Sequence, residues 1–204
     1  MARSGKESPK RPIELLTRAE VAALLRQCST TAPTGIRNRA LITVMFFAGL
    51  RLDEALKLRA ADINPALGTI RVLHGKGDKP RTVSIDDGSM ALVQRWMDAR
   101  AKLGHRHGTL FCTLAGGDLS GVYVRNLMKR LRRQAGIEKR VHPHGLRHSH
   151  AAELAAEGVP MNVIQAQLGH ENLSTTDTYL RNIAPADVIA MGRNRPRFDP
   201  EDYK

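Results

Sequence analysis

Aromatic residues are scarce: Phe, Trp and Tyr together make up only 4% of the 204 residues. That argues against modules that stack single-stranded bases on aromatic platforms. Cysteine is nearly absent. Cys28 and Cys112 are too few for a disulfide framework or a zinc cluster, and they suit buried thiols in a reducing cytoplasm. Long hydrophobic runs are missing too. The longest, Ala40 to Leu50, is interrupted by Thr43 and Gly49 and falls well short of the roughly 20 residues that span a bilayer. No apolar stretch follows the basic residues 1–12, so a secretory signal is not expected. The last shortage is of acid. Asp and Glu number 20 against 32 Lys and Arg, a net charge of +12. Such an excess points to a polyanionic partner. The 42% of hydrophobic residues is enough to build a core and excludes global disorder.

Periodicity sets the expected elements. Thr17-Arg18-Ala19-Glu20 is a capping-box pattern, and Val21, Leu24, Leu25 and Cys28 recur on one helical face, so a helix is expected over 17–29. Residues 31–35 read as a loop, 37–48 as a largely buried helix stopped by Gly49, and 53–58 as a short helix. The period then changes. Residues 68–73 and 81–85 alternate around the turn cluster His74-Gly-Lys-Gly-Asp-Lys-Pro80, which predicts a β-hairpin. Helices are expected again over 89–103, from Ser120 to about 135, over 146–157 and over 160–168, with a short one holding Tyr179. The fold class that follows is α+β, mainly α-helical, with a small antiparallel β-sheet. The expected organisation is a basic tail (1–12), one domain (13–192) and a C-terminal tail (193–204).

In the helix after Ser120, Val124, Leu127, Met128 and Leu131 form an apolar stripe, and the other face carries Arg125, Lys129, Arg130, Arg132 and Arg133 with no acid. Charge runs are commonly just solvated faces. Bases with no carboxylate beside them repel one another, however, and gain from a polyanion. Arg125, Lys129, Arg132 and Arg133 are therefore candidate DNA-binding residues. His142, His144, His148 and His150 cluster without a complete metal-ligand set, and Gly75-Lys76-Gly77 lacks the remainder of a Walker A motif. Neither a metal nor a nucleotide cofactor is expected.

The segments AGLRLDEALKL (48–58), HGKGDKPR (74–81), HPHGLRHSHA (142–151) and LGHENLSTTDTYL (168–180) place Arg51, Lys76, His144, Arg147, His170 and Tyr179 in order. In order and spacing this set resembles the tyrosine recombinase, or phage integrase, family over about residues 13–185. A lone His-x-x-Arg would carry nothing; the whole set is specific. The resemblance implies the catalytic-domain fold and a site-specific recombinase that cleaves and rejoins DNA through a 3′-phosphotyrosyl intermediate. It implies that Arg51 and Arg147 hold the phosphate, His144 accepts the Tyr179 proton, Lys76 protonates the leaving oxygen and His170 adds a hydrogen bond. Glu54 would buttress Arg51, and His148 would support Arg147 from behind.

The same resemblance implies double-stranded DNA as partner, a homo-oligomeric (tetrameric) synapse, accessory DNA-bending or directionality proteins, and no membrane. A cytoplasmic, nucleoid-associated location goes with these. The chain resembles short members without the separate N-terminal DNA-clamping domain, or a catalytic fragment. After Tyr179, Ile183, Val188, Ile189 and Met191 are candidates for contact with a neighbouring subunit. Two alternatives stand beside the recombinase: a type IB topoisomerase-like nicking and closing enzyme, and a DNA-binding regulator that keeps the fold without catalysis.

Overall fold

Thr17 starts the first helix in the way its sequence pattern predicts. Its hydroxyl accepts from Glu20 N at 3.2 Å, and the Glu20 carboxylate accepts from Thr17 N at 2.7 Å, so two backbone donors at the helix start are satisfied reciprocally. The computed structural model describes residues 14–73, 80–105 and 108–169. Within them the helices are α1 (Arg18–Arg26), α2 (Pro33–Phe47), α3 (Leu52–Lys57), α4 (Asp87–Lys102), α5 (Gly121–Gln134), α6 (Pro143–Ala156) and α7 (Met161–Leu168). Strands β1 (Ile63–Asn64), β2 (Thr69–Val72) and β3 (Arg81–Ser84) form one antiparallel sheet in the order β1-β2-β3. The mainly helical α+β class is as expected, and β1 is added to the expected hairpin. Ile70 pairs with Ile63 on one side and Val83 on the other, and all three are buried.

Helix α2 is the central element. It is apolar almost all round, as a helix buried on most faces must be, and it packs against α4 and α6. Leu41, Ile42, Met45 and Phe46 are fully enclosed, as is Trp96 of α4. The indole N–H of Trp96 donates to the Leu110 carbonyl at 2.9 Å, which removes the cost of burying it. Buried Arg37 is satisfied likewise by Cys112 O (2.9 Å) and the Tyr123 hydroxyl (2.6 Å).

Two helix starts differ from the sequence expectation by three residues or more. Helix α2 begins at Pro33, inside the expected loop, because proline's fixed φ suits a first helical turn that needs no N–H there. Helix α6 begins at Pro143 for the same reason, with His142 as its cap: Nδ1 of His142 accepts from Gly145 N at 3.1 Å. His144 and Arg147 therefore stand on the first turns of α6 rather than partly in a loop.

Candidate active site

Gly49 creates the turn on which the site is built. With φ near +64° it lies in the left-handed region that glycine adopts without strain. A Cβ there would fall 2.7 Å from both His150 Cδ2 and Leu168 Cδ2. The turn ends α2 and makes Arg51 the N-terminal cap of α3. The Glu54 carboxylate, three residues on, accepts from Arg51 N at 2.8 Å and from Arg51 Nη1 at 2.6 Å. The other Arg51 amino group, Nη2, donates to Gly169 O at 3.1 Å, just beyond the end of α7.

Arg147 reaches the same place from α6 and is only 1% exposed. Its Nη1 donates to Gly49 O at 2.6 Å and its Nη2 to Leu168 O. Nη1 also lies 4.0 Å from the Glu54 carboxylate. The buried guanidinium thus ties the end of α2 to the end of α7, where helix carbonyls lacking intrahelical partners favour a cation.

Glu54 is 4% exposed. Burial alone would push its pKa up. The fork from Arg81, the backbone and side chain of Arg51, and the Arg81 charge overrule that and hold it at about 2. Arg81 is the residue that sequence reasoning missed. It closes the segment quoted for Lys76, but nothing in the local pattern marks its partner. Its Nη1 and Nη2 sit 2.9 and 2.8 Å from the two Glu54 oxygens, and its Nε donates to Gln167 O at 3.2 Å. Gln167 in turn holds β3: its side chain accepts from Ser84 N at 3.2 Å and donates to Ser84 O at 2.9 Å.

His144 is exposed at the surface of α6, with its ring centroid 3.9 Å from that of buried His148. Partial burial and the positive charges of Arg147 and Arg51 hold its pKa below the ordinary 6.5. These influences favour the neutral imidazole, the form able to accept a proton. Lys76, His170 and Tyr179 lie outside the described residues. Among the described residues there is no group of three or more His, Cys, Asp or Glu able to hold a metal ion, and no helix long and apolar enough to cross a membrane.

On α5, Arg125, Lys129 and Arg133 are exposed. Arg125 lies near the start of α3, because a Cβ on Gly121 would meet both the Arg125 guanidinium and Leu52. Arg132 is engaged elsewhere. Its guanidinium donates to Ile137 O at 2.9 Å and to Glu138 O, closing the chain after the helix end.

Residues 14–184 match the family described as the phage integrase family. The chain belongs to that family. It is 33% identical over 204 aligned residues to the tyrosine recombinase XerC of Chromohalobacter salexigens, covering 96% of this chain and 67% of that one. The crystal structure of XerA recombinase superposes with a TM-score of 0.78 at 27% identity, covering 91% of this chain and 66% of that chain. XerH site-specific recombinase bound to its palindromic difH substrate, in a post-cleavage complex, gives 0.75 at 28%, covering 89% and 53%. The chain therefore spans between about half and two-thirds of the length of these relatives. The mainly helical fold with its three-stranded sheet is the catalytic-domain fold of the tyrosine recombinases.

Proposed function

We propose that this chain carries the catalytic domain of a site-specific recombinase that breaks and rejoins double-stranded DNA through a 3′-phosphotyrosyl intermediate. One observation carries the reading: Arg51 and Arg147, 96 residues apart in the numbering, converge on the same turn around a single ionised carboxylate. The post-cleavage DNA complex of XerH supports it.

The chemistry follows from the groups available. Tyrosine, with a pKa of about 10, is only about 0.1% phenolate at pH 7, so its attack needs a base. The Tyr179 hydroxyl attacks the scissile phosphorus and its proton passes to neutral His144. As the Tyr–O–P bond forms, the P–O bond to the 5′ oxygen breaks, and that oxygen takes a proton from Lys76. Arg51 and Arg147 hold the non-bridging oxygens, where charge grows in the transition state, and His170 adds a further donor. Since one phosphodiester replaces another, the reverse attack by a 5′ hydroxyl reseals DNA with no external energy source. Arg125, Lys129 and Arg133 extend the basic surface from the site along α5.

The working form is a homo-oligomer, four copies bridging two DNA sites, with accessory DNA-bending or directionality proteins setting the outcome. Its location is cytoplasmic, on the nucleoid.

The test is covalent capture. The protein is incubated with nicked duplexes carrying randomised binding arms, in which the cleaved fragment diffuses away, and SDS-resistant protein–DNA adducts are counted. The wild type forms the adduct and Tyr179→Phe binds the same DNA without forming it. An adduct from Tyr179→Phe, or none from the wild type, overturns the proposal. Relaxation of supercoiled DNA carrying a single copy of the captured site, without any exchange between two sites, would instead identify a nicking and closing enzyme.

A further inference from the structure

Arg81 stands at the start of β3, and its side chain is only 11% exposed. Its contacts close a ring. Arg81 forks onto both Glu54 oxygens, Glu54 accepts from Arg51, Arg51 donates to Gly169 O, and Arg81 returns to the same helix end through Gln167 O. The fit at that end is close. Gly169 has φ near +64°, and a Cβ on it would fall 2.9 to 3.1 Å from Arg81 Cδ, Nε and Nη1. The ring thus joins β3, the α2–α3 turn and the end of α7, three segments that the chain brings together only by folding.

The charges give the ring a purpose. A buried carboxylate is an effective way to aim a guanidinium, because two oxygens fix the orientation of a planar fork. It also cancels the charge it aims. Arg51 and Glu54 alone would be neutral and would offer little to a phosphate. With Arg81 on the same carboxylate the trio carries +1, and Arg147 at 4.0 Å from the carboxylate brings the cluster to +2. A phosphodiester carries one negative charge in the ground state, and its five-coordinate transition state gathers more on the non-bridging oxygens.

We propose that Arg81 is a positioning residue for strand cleavage: it neutralises and anchors Glu54, so that Glu54 orients Arg51 on the scissile phosphate without cancelling its charge. The proposal rests on the recombinase reading above. Arg81 itself touches no substrate and acts through Arg51.

The test compares two nicked duplexes built on the captured site. One has a normal scissile phosphate. The other has a methylphosphonate, in which a methyl group replaces one charged oxygen and so lowers the demand on Arg51. Single-turnover adduct formation is measured for the wild type, Arg81→Gln and Arg81→Lys, with DNA affinity measured in parallel. On the normal phosphate Arg81→Gln is expected to cleave about 100-fold slower, with DNA affinity changed less than about twofold. Arg81→Lys keeps the charge without the fork and is expected to lose about tenfold. On the methylphosphonate the gap between wild type and Arg81→Gln closes to less than about fivefold.

The ratio of the two substrates is taken within one preparation, so the folded fraction cancels. If Arg81→Gln yields no folded protein, Arg81→Lys supplies the same ratio. Equal losses on both substrates, or no loss on the normal phosphate, overturn the proposal while leaving the recombinase reading intact. A wild type that forms no adduct overturns both.

Discussion

Replacing Glu54 with Gln keeps the shape of the side chain and removes the one negative charge among Arg51, Arg81 and Arg147. The size of the effect follows from the titration of the carboxylate. Its pKa is about 2 in the folded protein against an ordinary value of 4.5. At about 1.4 kcal/mol for each pH unit, the ionised form contributes about 3–4 kcal/mol to stability at pH 7. The substitution also makes an amide N–H face a guanidinium N–H, donor against donor. That pushes the loss toward the roughly 3–5 kcal/mol typical of a broken buried pair. For a chain of this size, 3 kcal/mol corresponds to a fall in Tm of about 6–12 °C.

The sign with pH is definite. A depressed folded pKa gives stability that is fully present above about pH 4.5 and is lost as pH falls toward 2. The gap between wild type and Glu54→Gln should thus be about constant from pH 8 to pH 5. The part of the gap that comes from the charge should fall to about three-fifths by pH 3.5. Urea unfolding of both proteins across that range, with matched m-values, checks this. A gap under about 1 kcal/mol at pH 7, or one that does not narrow in acid, would refute the assignment of Glu54 as the ionised hub of the site.

Gly49→Ala should destabilise by at least about 2 kcal/mol, through the left-handed backbone and a Cβ 2.7 Å from His150 and Leu168; an unchanged urea midpoint would contradict it. His150 is buried, its Nε2 has no hydrogen-bond partner among the described residues, and burial followed by the charges of Arg147 and Arg18 holds its pKa at about 4. Its stabilising effect is therefore complete above pH 6.5 and lost as pH falls toward 4. His150→Leu should flatten the pH dependence of Tm across that window, and an unchanged slope would count against the assignment. Changing Arg125, Lys129 and Arg133 together to Gln should reduce the slope of log affinity against log salt by about 0.9 for each phosphate that is no longer neutralised. An unaltered slope would remove α5 from the DNA interface.

Features decided within one or two turns of chain were open to the sequence. Thr17 and Glu20 face each other across three residues, Ser120 caps α5 by accepting from Tyr123 N, and Gly49 ends its helix, because each depends on local dihedral angles and hydrogen bonds of short range. The Arg51–Glu54 pair has the same three-residue spacing and was expected. The family was also legible, because its motif residues lie in four contiguous segments. Tertiary packing alone decided the rest. No pattern within HGKGDKPR shows that Arg81 grips a carboxylate 27 residues earlier, or that Arg147 finds carbonyls at the ends of two different helices. Nor does an acid-free helix face reveal that Arg132 turns back to seal its own helix end. A long basic side chain can reach many partners, and its local sequence does not select among them. The choice is made when α2, α6, α7 and β3 bury their apolar faces together, leaving a buried carboxylate and helix-end carbonyls that require cations.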